Sequence, residues 1–211
     1  ITPPWSLWDG KDYKNLATDI HSASYVKEQQ EKYRWIEYHK WKFKARTFTA
    51  LTSAQKTFVL MTRVELGLLG SFNKYKKSPF ETYYMGGDGM SGYSYGYATE
   101  TIGLRGYDNG NLTPYGYEGY AYDRFTLELR YPFMRGNTTI YGLTFVEGGN
   151  AWNDTKKFNP FDMKRSAGIG VRIFLPMVGL MGIDWAYGFD KYFLGQQQGG
   201  GQFHFILGQE F

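Results

Sequence analysis

The fold is decided by the stretch AGIGVRIFLPMVGLMGIDWAYGF, residues 167–189. On both sides of the turn Pro176-Met177-Val178-Gly179, apolar residues alternate with residues that are mostly small or polar. A period of two residues is typical of a β-strand with two different faces, and a short connection between two such runs predicts an antiparallel hairpin. The two apolar faces consist of Ala167, Ile169, Val171, Ile173, Leu175, Met181, Ile183, Trp185, Tyr187 and Phe189.

The same alternation recurs along the chain. It is present at 39–51, 57–70, 124–133 and 202–211, and from such runs we predict about seven full strands with a partial strand at 1–8. The stretches 9–35 and 71–120 are longer and rich in polar, glycine and tyrosine residues. Short turns at one end of a sheet and long loops at the other are typical of outer-membrane β-barrels.

Composition agrees with an all-β membrane protein. Aromatic residues make up 19% of the 211 residues, and there are 27 glycines. Tyr and Trp collect at membrane interfaces, and glycine on a crowded inner face is easier to explain than glycine on an open surface. A transmembrane helix would need about 18 or more consecutive apolar residues, and the sequence has no such run. We therefore favour an antiparallel transmembrane barrel over a soluble sandwich.

Charge, cysteine content and histidine spacing argue against several classes of function. The net charge of +4 comes from interspersed charges, which argues against a nucleic-acid partner. The absence of cysteine excludes thiolate metal sites and disulfides,. His21, His39 and His204 lack metal-ligand spacing, so we expect neither a metal nor a cofactor. The basic row Lys40, Lys42, Lys44 and Arg46 could face a substrate, but a charged lumen lining is the favoured interpretation.

Alternation leaves the size of the barrel open. Eight strands can close into a small barrel, or the chain can be half of a larger one. The sequence begins ITPPWSL, without a start methionine or signal peptide, so we expect it to be a fragment of a longer protein.

A family resemblance addresses this choice. The motifs TIGLRGY, LELRYPF, FVEGGNAW and FHFILGQEF, together with the hairpin at 167–189, resemble the C-terminal barrel half of the BamA family of outer-membrane insertases. The resemblance implies a sixteen-stranded barrel preceded by POTRA domains. Residues 1–211 would then run from the end of the ninth strand to the sixteenth, with the POTRA domains and the first half of the barrel absent from this chain.

The resemblance also implies an anchor inside the barrel. Residues 71–120 would be a long extracellular loop that folds into the lumen and carries the motif Arg105-Gly106-Tyr107. Arg105 would pack against acidic residues of the inner wall, at the matching positions Glu128 and Glu147. A guanidinium in a narrow lumen needs carboxylates to offset its desolvation, and its planar fork can hold one of them through two hydrogen bonds.

Glu147 fits this scheme less well than Glu128. Simple alternation places Glu147 with Tyr141, Leu143 and Phe145, which form an apolar row. Either that row faces the lumen, or a bulge beside Gly148-Gly149 shifts the register. We expect the bulge.

The last strand carries a second implied function. Phe203, Phe205, Leu207, Gly208 and Phe211 belong to a strand that, by the resemblance, pairs weakly with the first strand of the barrel and forms a lateral gate. An unpaired strand edge is a template for β-augmentation, so an incoming barrel protein could pair there. The glycines at 199–201 either weaken this strand or serve only a turn and barrel curvature.

The resemblance leads to a functional hypothesis. The chain would belong to the central insertase of the machinery that folds proteins into the outer membrane of a Gram-negative bacterium. Its partners would be the lipid bilayer, the other subunits of the complex, unfolded outer-membrane proteins and the remaining half of its own barrel. Catalysis is not expected, because no G-x-S-x-G element is present and Arg105 would lower the pKa values of Glu128 and Glu147. The alternatives are a polypeptide-translocating pore of the two-partner-secretion type and an eight-stranded barrel or soluble module with a binding role.

Overall fold

The protein is built around one antiparallel sheet of seven strands. The computed structural model describes residues 1–16, 19–54, 56–89, 100–114, 118–177, 179–190, 192–193, 196–197 and 199–208. The strands are β1 (His39–Ala50), β2 (Val59–Gly70), β3 (Tyr83–Met85), β4 (Glu100–Ile102), β5 (Ala121–Met134), β6 (Thr139–Trp152), β7 (Lys164–Leu175), β8 (Gly179–Gly188), β9 (Tyr192–Phe193), β10 (Gln196–Gln197) and β11 (Gly201–Leu207). The helices are α1 (Tyr25–Lys32) and two short 3₁₀ turns, Trp5–Leu7 and Thr155–Lys157.

The sheet is an open meander in the order β1-β2-β5-β6-β7-β8-β11. Neighbouring strands are antiparallel throughout. Among the described residues, the outer edges of β1 and β11 pair with no further strand. The predicted all-β architecture of part of a barrel is therefore confirmed, and the sheet is not the closed eight-stranded barrel that alternation alone left open.

The partial strand predicted at 1–8 is wrong. Residues Trp5–Leu7 form a 3₁₀ turn instead. Next to the start of the sheet, the amide and hydroxyl of Thr2 donate to the Tyr38 carbonyl at 3.0 and 3.2 Å, and the Tyr38 amide donates to the Thr2 hydroxyl at 2.7 Å. Pro3 and Pro4 lack amide donors and so cannot contribute to a ladder of hydrogen bonds.

The two faces of the sheet follow the predicted alternation. In β2, the inward residues Met61, Arg63, Glu65 and Leu69 are buried. The outward face is apolar and exposed, and includes Trp41, Phe43, Leu127, Val146, Ile169, Val171, Ile183, Trp185, Phe203, Phe205 and Leu207. No helix in the described part of the chain is long and apolar enough to cross a membrane.

The long connection 71–120 packs against the inward face. Its strands β3 and β4 form a parallel pair, and its buried side chains form a cluster with inward residues of the wall. The members of that cluster are Leu69, Tyr83, Met85, Ile102, Leu104, Tyr107, Leu112, Tyr120, Tyr122 and Ala151. This packing brings residues 104–107 to the inner surface of the sheet.

The bulge expected beside Gly148-Gly149 is also wrong. Both glycines keep regular register with β5 and with β7. The register shift between β5 and β6 lies instead between Pro132 and Met134, at the far end of the pair. Glu147 turns inward without a bulge because the whole row of Leu143, Phe145 and Glu147 faces the interior, while Thr144 and Val146 are exposed on the other face.

Candidate functional site: a buried arginine in the barrel wall

Arg105 is the centre of the site. It is the third residue after β4, and its side chain is fully buried, with 0% exposure. The apolar residues of the loop hold the backbone close to the wall, so the side chain reaches β5, β6 and β8. An isolated charge in such a place would be very costly, and the surrounding carboxylates offset that cost.

Glu147 on β6 is the main partner of Arg105. Nε of Arg105 donates to Oε2 at 3.1 Å and Nη2 donates to Oε1 at 2.8 Å. The backbone amide of Arg105 also donates to Oε2, at 3.1 Å. The carboxylate therefore fixes both the side chain and the backbone of the loop, with the two-pronged geometry for which arginine is suited.

Two further carboxylates complete the environment of the guanidinium. Asp184 on β8 accepts from Nη1 at 2.8 Å, and Glu128 on β5 accepts from Nη2 at a longer 3.3 Å. The Phe145 ring lies under the guanidinium, with 3.3 Å between its centroid and Cζ, and such stacking stabilises a cation. Three strands of the wall thus contact one loop side chain.

The carboxylates are themselves held by arginines of the wall. Arg124 donates to Glu147 at 2.9 Å, Arg130 to Glu128 at 2.5 Å, and Arg172 to Asp184 at 2.6 and 2.7 Å. The Thr126 hydroxyl adds a bond to Glu147, at 3.0 Å. The acids that bind Arg105 are thus also hydrogen-bonded to residues of the wall itself.

The electrostatics of Arg105 favour its charged form. Burial alone would lower the pKa of the guanidinium, but Glu147, Asp184 and Glu128 outweigh burial and raise the pKa above its ordinary value. The loop arginine therefore stays protonated, and the site cannot be opened by deprotonating it at any physiological pH.

Gly106 allows the close approach of the loop. Its φ of +88° is a left-handed conformation, and a Cβ on it would lie 2.7 Å from the amide nitrogen of Gly188. No other residue type fits such a position without a shift of the backbone. The amide of Gly106 donates to Nε2 of His204 on β11, at 2.9 Å.

Tyr107 completes the motif on the side of β7. Its ring is fully buried, and its hydroxyl donates to the carbonyl of Arg165 at 2.7 Å and lies 3.3 Å from Oδ2 of Asp190. Burial, with the charge of Asp190, raises the pKa of Tyr107 above its usual value. The hydroxyl therefore remains a donor.

Comparison with known proteins agrees with this architecture. The model of the Omp85 superfamily domain matches residues 5–211. The chain belongs to the Omp85 superfamily. No curated protein matches it. Among solved structures it is similar to BamA from Haemophilus ducreyi lacking POTRA domains 1–3, with a TM-score of 0.59 and 22% identity over 81% of this chain.

This Omp85 chain spans about a third of that BamA structure, since the match covers 35% of the latter. At 22% identity the likeness shows the fold. The resemblance inferred from the sequence motifs is thereby confirmed for family and for fold.

In this Omp85 chain the predicted residues of the last strand lie at an open edge. Phe203, Phe205 and Leu207 point outward and are 66%, 60% and 64% exposed. Gly208 follows β11 with a φ of +70°. Phe211 lies outside the described residues.

The basic row of β1 lies on the inward face with acidic neighbours. Lys40 contacts Glu81 at 2.9 Å and Glu100 at 3.2 Å, and Lys42 contacts Glu100 at 2.9 Å. Lys44 lies 3.9 Å from Glu100. The loop thus supplies carboxylates to the lysines, as a lining of the lumen would require. The described residues contain no group of His, Asp and Glu that could hold a metal ion.

Three residues that contact Arg105 or Gly106 were not predicted from the sequence: Asp184, Phe145 and His204. A signal for Asp184 and His204 is present in the sequence, because each lies between two apolar residues of an alternating run. The signal for Phe145 was ambiguous, since β6 carries apolar residues on both faces. The sequence does not predict that any of the three lies near Arg105, because they are far from it along the chain.

Proposed function

We propose that this Omp85 chain is the C-terminal barrel half of an insertase that folds proteins into the outer membrane of a Gram-negative bacterium. Its partners would be the lipid bilayer, the remaining half of its own barrel, accessory subunits and unfolded outer-membrane proteins. The supporting observation is the Arg105 site, in which one loop residue is bonded to Glu147, Asp184 and Glu128 on three strands.

The last strand of the sheet, β11, is the candidate for strand pairing, because it lies where the remaining half of the barrel would join this chain. An exposed edge presents unpaired amides and carbonyls, which an incoming strand can use as a template. The outward residues beside this edge are apolar and exposed, so a nascent barrel could pair there while its own apolar face enters the lipid. The folding free energy of the substrate would drive the process, with the insertase lowering the kinetic barrier.

The proposed role is not enzymatic. The two carboxylates that could be mistaken for an acid–base pair, Glu128 and Glu147, are both hydrogen-bonded to arginines. Both carboxylates are therefore engaged in holding the docked loop, and the proposal gives them no part in catalysis.

A reconstitution experiment tests the proposal. Full-length protein with its accessory subunits is placed in liposomes, and the folding rate of a urea-unfolded outer-membrane barrel protein is followed by its shift in electrophoretic mobility. We expect acceleration over empty liposomes, and its loss with Arg105→Ala. Arg34→Ala, an exposed arginine outside the site, is the matched control. Equal rates with and without the protein would rule out an insertase.

The same preparation separates the insertase from a secretion pore of the same superfamily. A pore of the two-partner-secretion type would move an unfolded polypeptide across the vesicle wall and leave it protected from external protease. An insertase would leave a folded barrel in the bilayer. Protease protection of a soluble polypeptide without insertion would favour the pore.

A further inference from the structure

The edge strand β11 receives support from the loop as well as from β8. It pairs with β8 from Gly201 to Leu207, while its other edge pairs with no described strand. An edge strand held by one ladder is prone to fraying. Contacts that reach it from elsewhere therefore bear on how readily it opens.

Loop residues 106–108 make several contacts with the start of β11. The Gly106 amide donates to Nε2 of His204 at 2.9 Å, and the amide of Gly200 donates to the Gly106 carbonyl at 3.3 Å. Nε2 of Gln202 donates to Oδ1 of Asp108 at 2.8 Å. Tyr107 forms a bridge with Gly199. All of these contacts fall on residues 199–204.

A junction of three glycines makes this approach possible. A Cβ on Gly188 would lie 2.3 Å from the Gly106 carbonyl oxygen and 3.0 Å from Cα of Gly199. A Cβ on Gly199 would lie 2.9 Å from the Gly188 carbonyl oxygen. The loop, β8 and the entry to β11 thus meet backbone to backbone, where side chains would hold them apart.

In the described part of the chain, the second half of β11 makes none of these hydrogen bonds to loop residues 106–108, although Ile206 within it is buried. Phe205 and Leu207 are 60% and 64% exposed, and Gly208 is bonded to the Leu180 carbonyl of β8 at 2.7 Å. Hydrogen bonds therefore hold the start of the strand to both the loop and β8, while those described for its end run to β8.

We propose that His204 is a positioning residue that couples the docked loop to the order of the edge strand. While Arg105 is bound in the wall, Gly106 is presented to His204 and the first half of β11 is fixed. Release of the loop removes these contacts and frees the whole edge. If the protein is the proposed insertase, residues 205–208 at the end of β11 are the part of the edge that a substrate strand can reach while the loop is docked.

Coupling of this kind is reciprocal. If docking of the loop stabilises β11, then β11 stabilises the docked loop by the same free energy. A substitution at His204 must therefore loosen the loop at Arg105, whose bonds it does not touch. A purely local role in β11 would leave the loop unchanged.

Hydrogen exchange measured by mass spectrometry on the full-length protein in lipid, without substrate, tests the coupling. The variants are His204→Leu, which removes the acceptor, and His204→Gln, whose side-chain oxygen can replace Nε2. With His204→Leu we expect roughly fivefold faster exchange in peptides covering both 100–108 and 199–204, the factor that corresponds to a hydrogen bond worth about 1 kcal/mol. His204→Gln should return both rates toward those of the unsubstituted protein.

Arg105→Ala supplies the reverse measurement, with faster exchange expected at 199–204. Ile206→Val is the control, because Ile206 is buried on the same face of β11 but makes none of the loop contacts. If His204→Leu does not fold, Gln202→Leu removes the bond to Asp108 and gives the same test. Faster exchange confined to 199–208, or no change in either region, would overturn the proposal. No substrate is present, so the result is independent of whether the protein is an insertase.

Discussion

At Arg105, each of the three guanidinium nitrogens has a carboxylate partner. Nε and Nη2 bind Glu147, Nη1 binds Asp184, and Nη2 also reaches Glu128. A lysine ammonium would place one charge at a single point and could not bridge acids on both sides of the site. The shape of the side chain thus matters as much as its charge.

Arg105→Lys should therefore fail to restore the site. We expect a loss of about 3 kcal/mol in the stability of the barrel, close to that of Arg105→Ala, because the buried acids lose their bonds in both cases. The loss of stability is measured as the temperature at which the folded barrel, which migrates faster on a gel, converts to the slower unfolded form. Arg34→Lys, at an exposed position, should leave that temperature unchanged.

The partners of Arg105 should contribute unequally. Glu147 makes three bonds to Arg105, whereas Glu128 makes one at 3.3 Å. In double-mutant cycles with Arg105→Ala, we expect a coupling of about 2 kcal/mol for Glu147→Ala and less than about 1 kcal/mol for Glu128→Ala. Additive effects for Arg105 and Glu147 would contradict the bonded geometry.

Arg63 makes a contrasting case within the same wall. Its side chain is buried, its Nε and Nη2 have no hydrogen-bond partner among the described residues, and its Nε lies 4.0 Å from Glu65. Because a buried charge with so weak a partner is costly, Arg63→Met should change stability by less than about 1 kcal/mol or increase it. Arg172→Met, which removes two bonds to Asp184, should destabilise the barrel in the same assay. A large loss for Arg63→Met would reveal an acid contributed from outside these residues.

Strand β6 shows where alternation stops predicting which row of side chains faces inward. In β7, β8 and β11 only one face is consistently apolar, and the inward and outward rows were predicted correctly. In β6, Leu143 and Phe145 face inward while Val146 faces outward, so hydrophobicity does not identify the inner row. The inward direction of Glu147 follows from its pairing with Thr126 and Ser166 on the flanking strands.

Alternation within a strand does not predict that residues of several strands will contact Arg105. Alternation puts Asp184 and His204 opposite the apolar residues of their strands, but a polar face gives no indication of which loop residue will meet it. Such contacts depend on the packing of the loop, which in turn depends on the small volume of Gly106 and Gly188. The family resemblance supplied Glu128 and Glu147, and the structure adds Asp184 and Phe145.

The glycine junction makes a prediction for β8. Gly188→Ala places a methyl group 2.3 Å from a backbone oxygen of the loop, and overpacking of this kind costs about 1–3 kcal/mol. We expect a lower unfolding temperature and faster proteolysis of the loop. Gly201→Ala on β11 is the control, because its nearest neighbour would be 3.5 Å away. Equal behaviour of the two variants would mean that the junction is looser than described.

At the scale of the whole molecule, the outward face has the character of a lipid-facing surface. Large apolar side chains on six strands are exposed there, including Trp41, Leu127, Ile169, Trp185 and Phe203. In water such a surface would drive association. In a bilayer it is matched by the hydrocarbon, while the buried charges around Arg105 lie on the other side of the sheet.

Ile169→Lys tests this assignment. Ile169 is 61% exposed and lies in the middle of β7. An exposed substitution in a soluble protein changes stability by less than about 0.5 kcal/mol, whereas a lysine facing the middle of a bilayer costs about 2–4 kcal/mol. Phe161→Lys, at an 88% exposed residue outside the strands, should have little effect. If Ile169→Lys left the stability of the protein in lipid vesicles unchanged, the wall would not face lipid.

The position of Arg105 in the chain sets an order of assembly. Its bonded partners lie 23, 42 and 79 residues further on, and the partner of Gly106 lies 98 residues further on. During synthesis the loop therefore appears before any of the residues that hold it. Contacts between such distant residues form late, since the entropy of closing long segments must first be overcome. During refolding we expect Tyr107 to become protected from hydrogen exchange later than the strands do. The loop would then enter the interior only after the wall has formed.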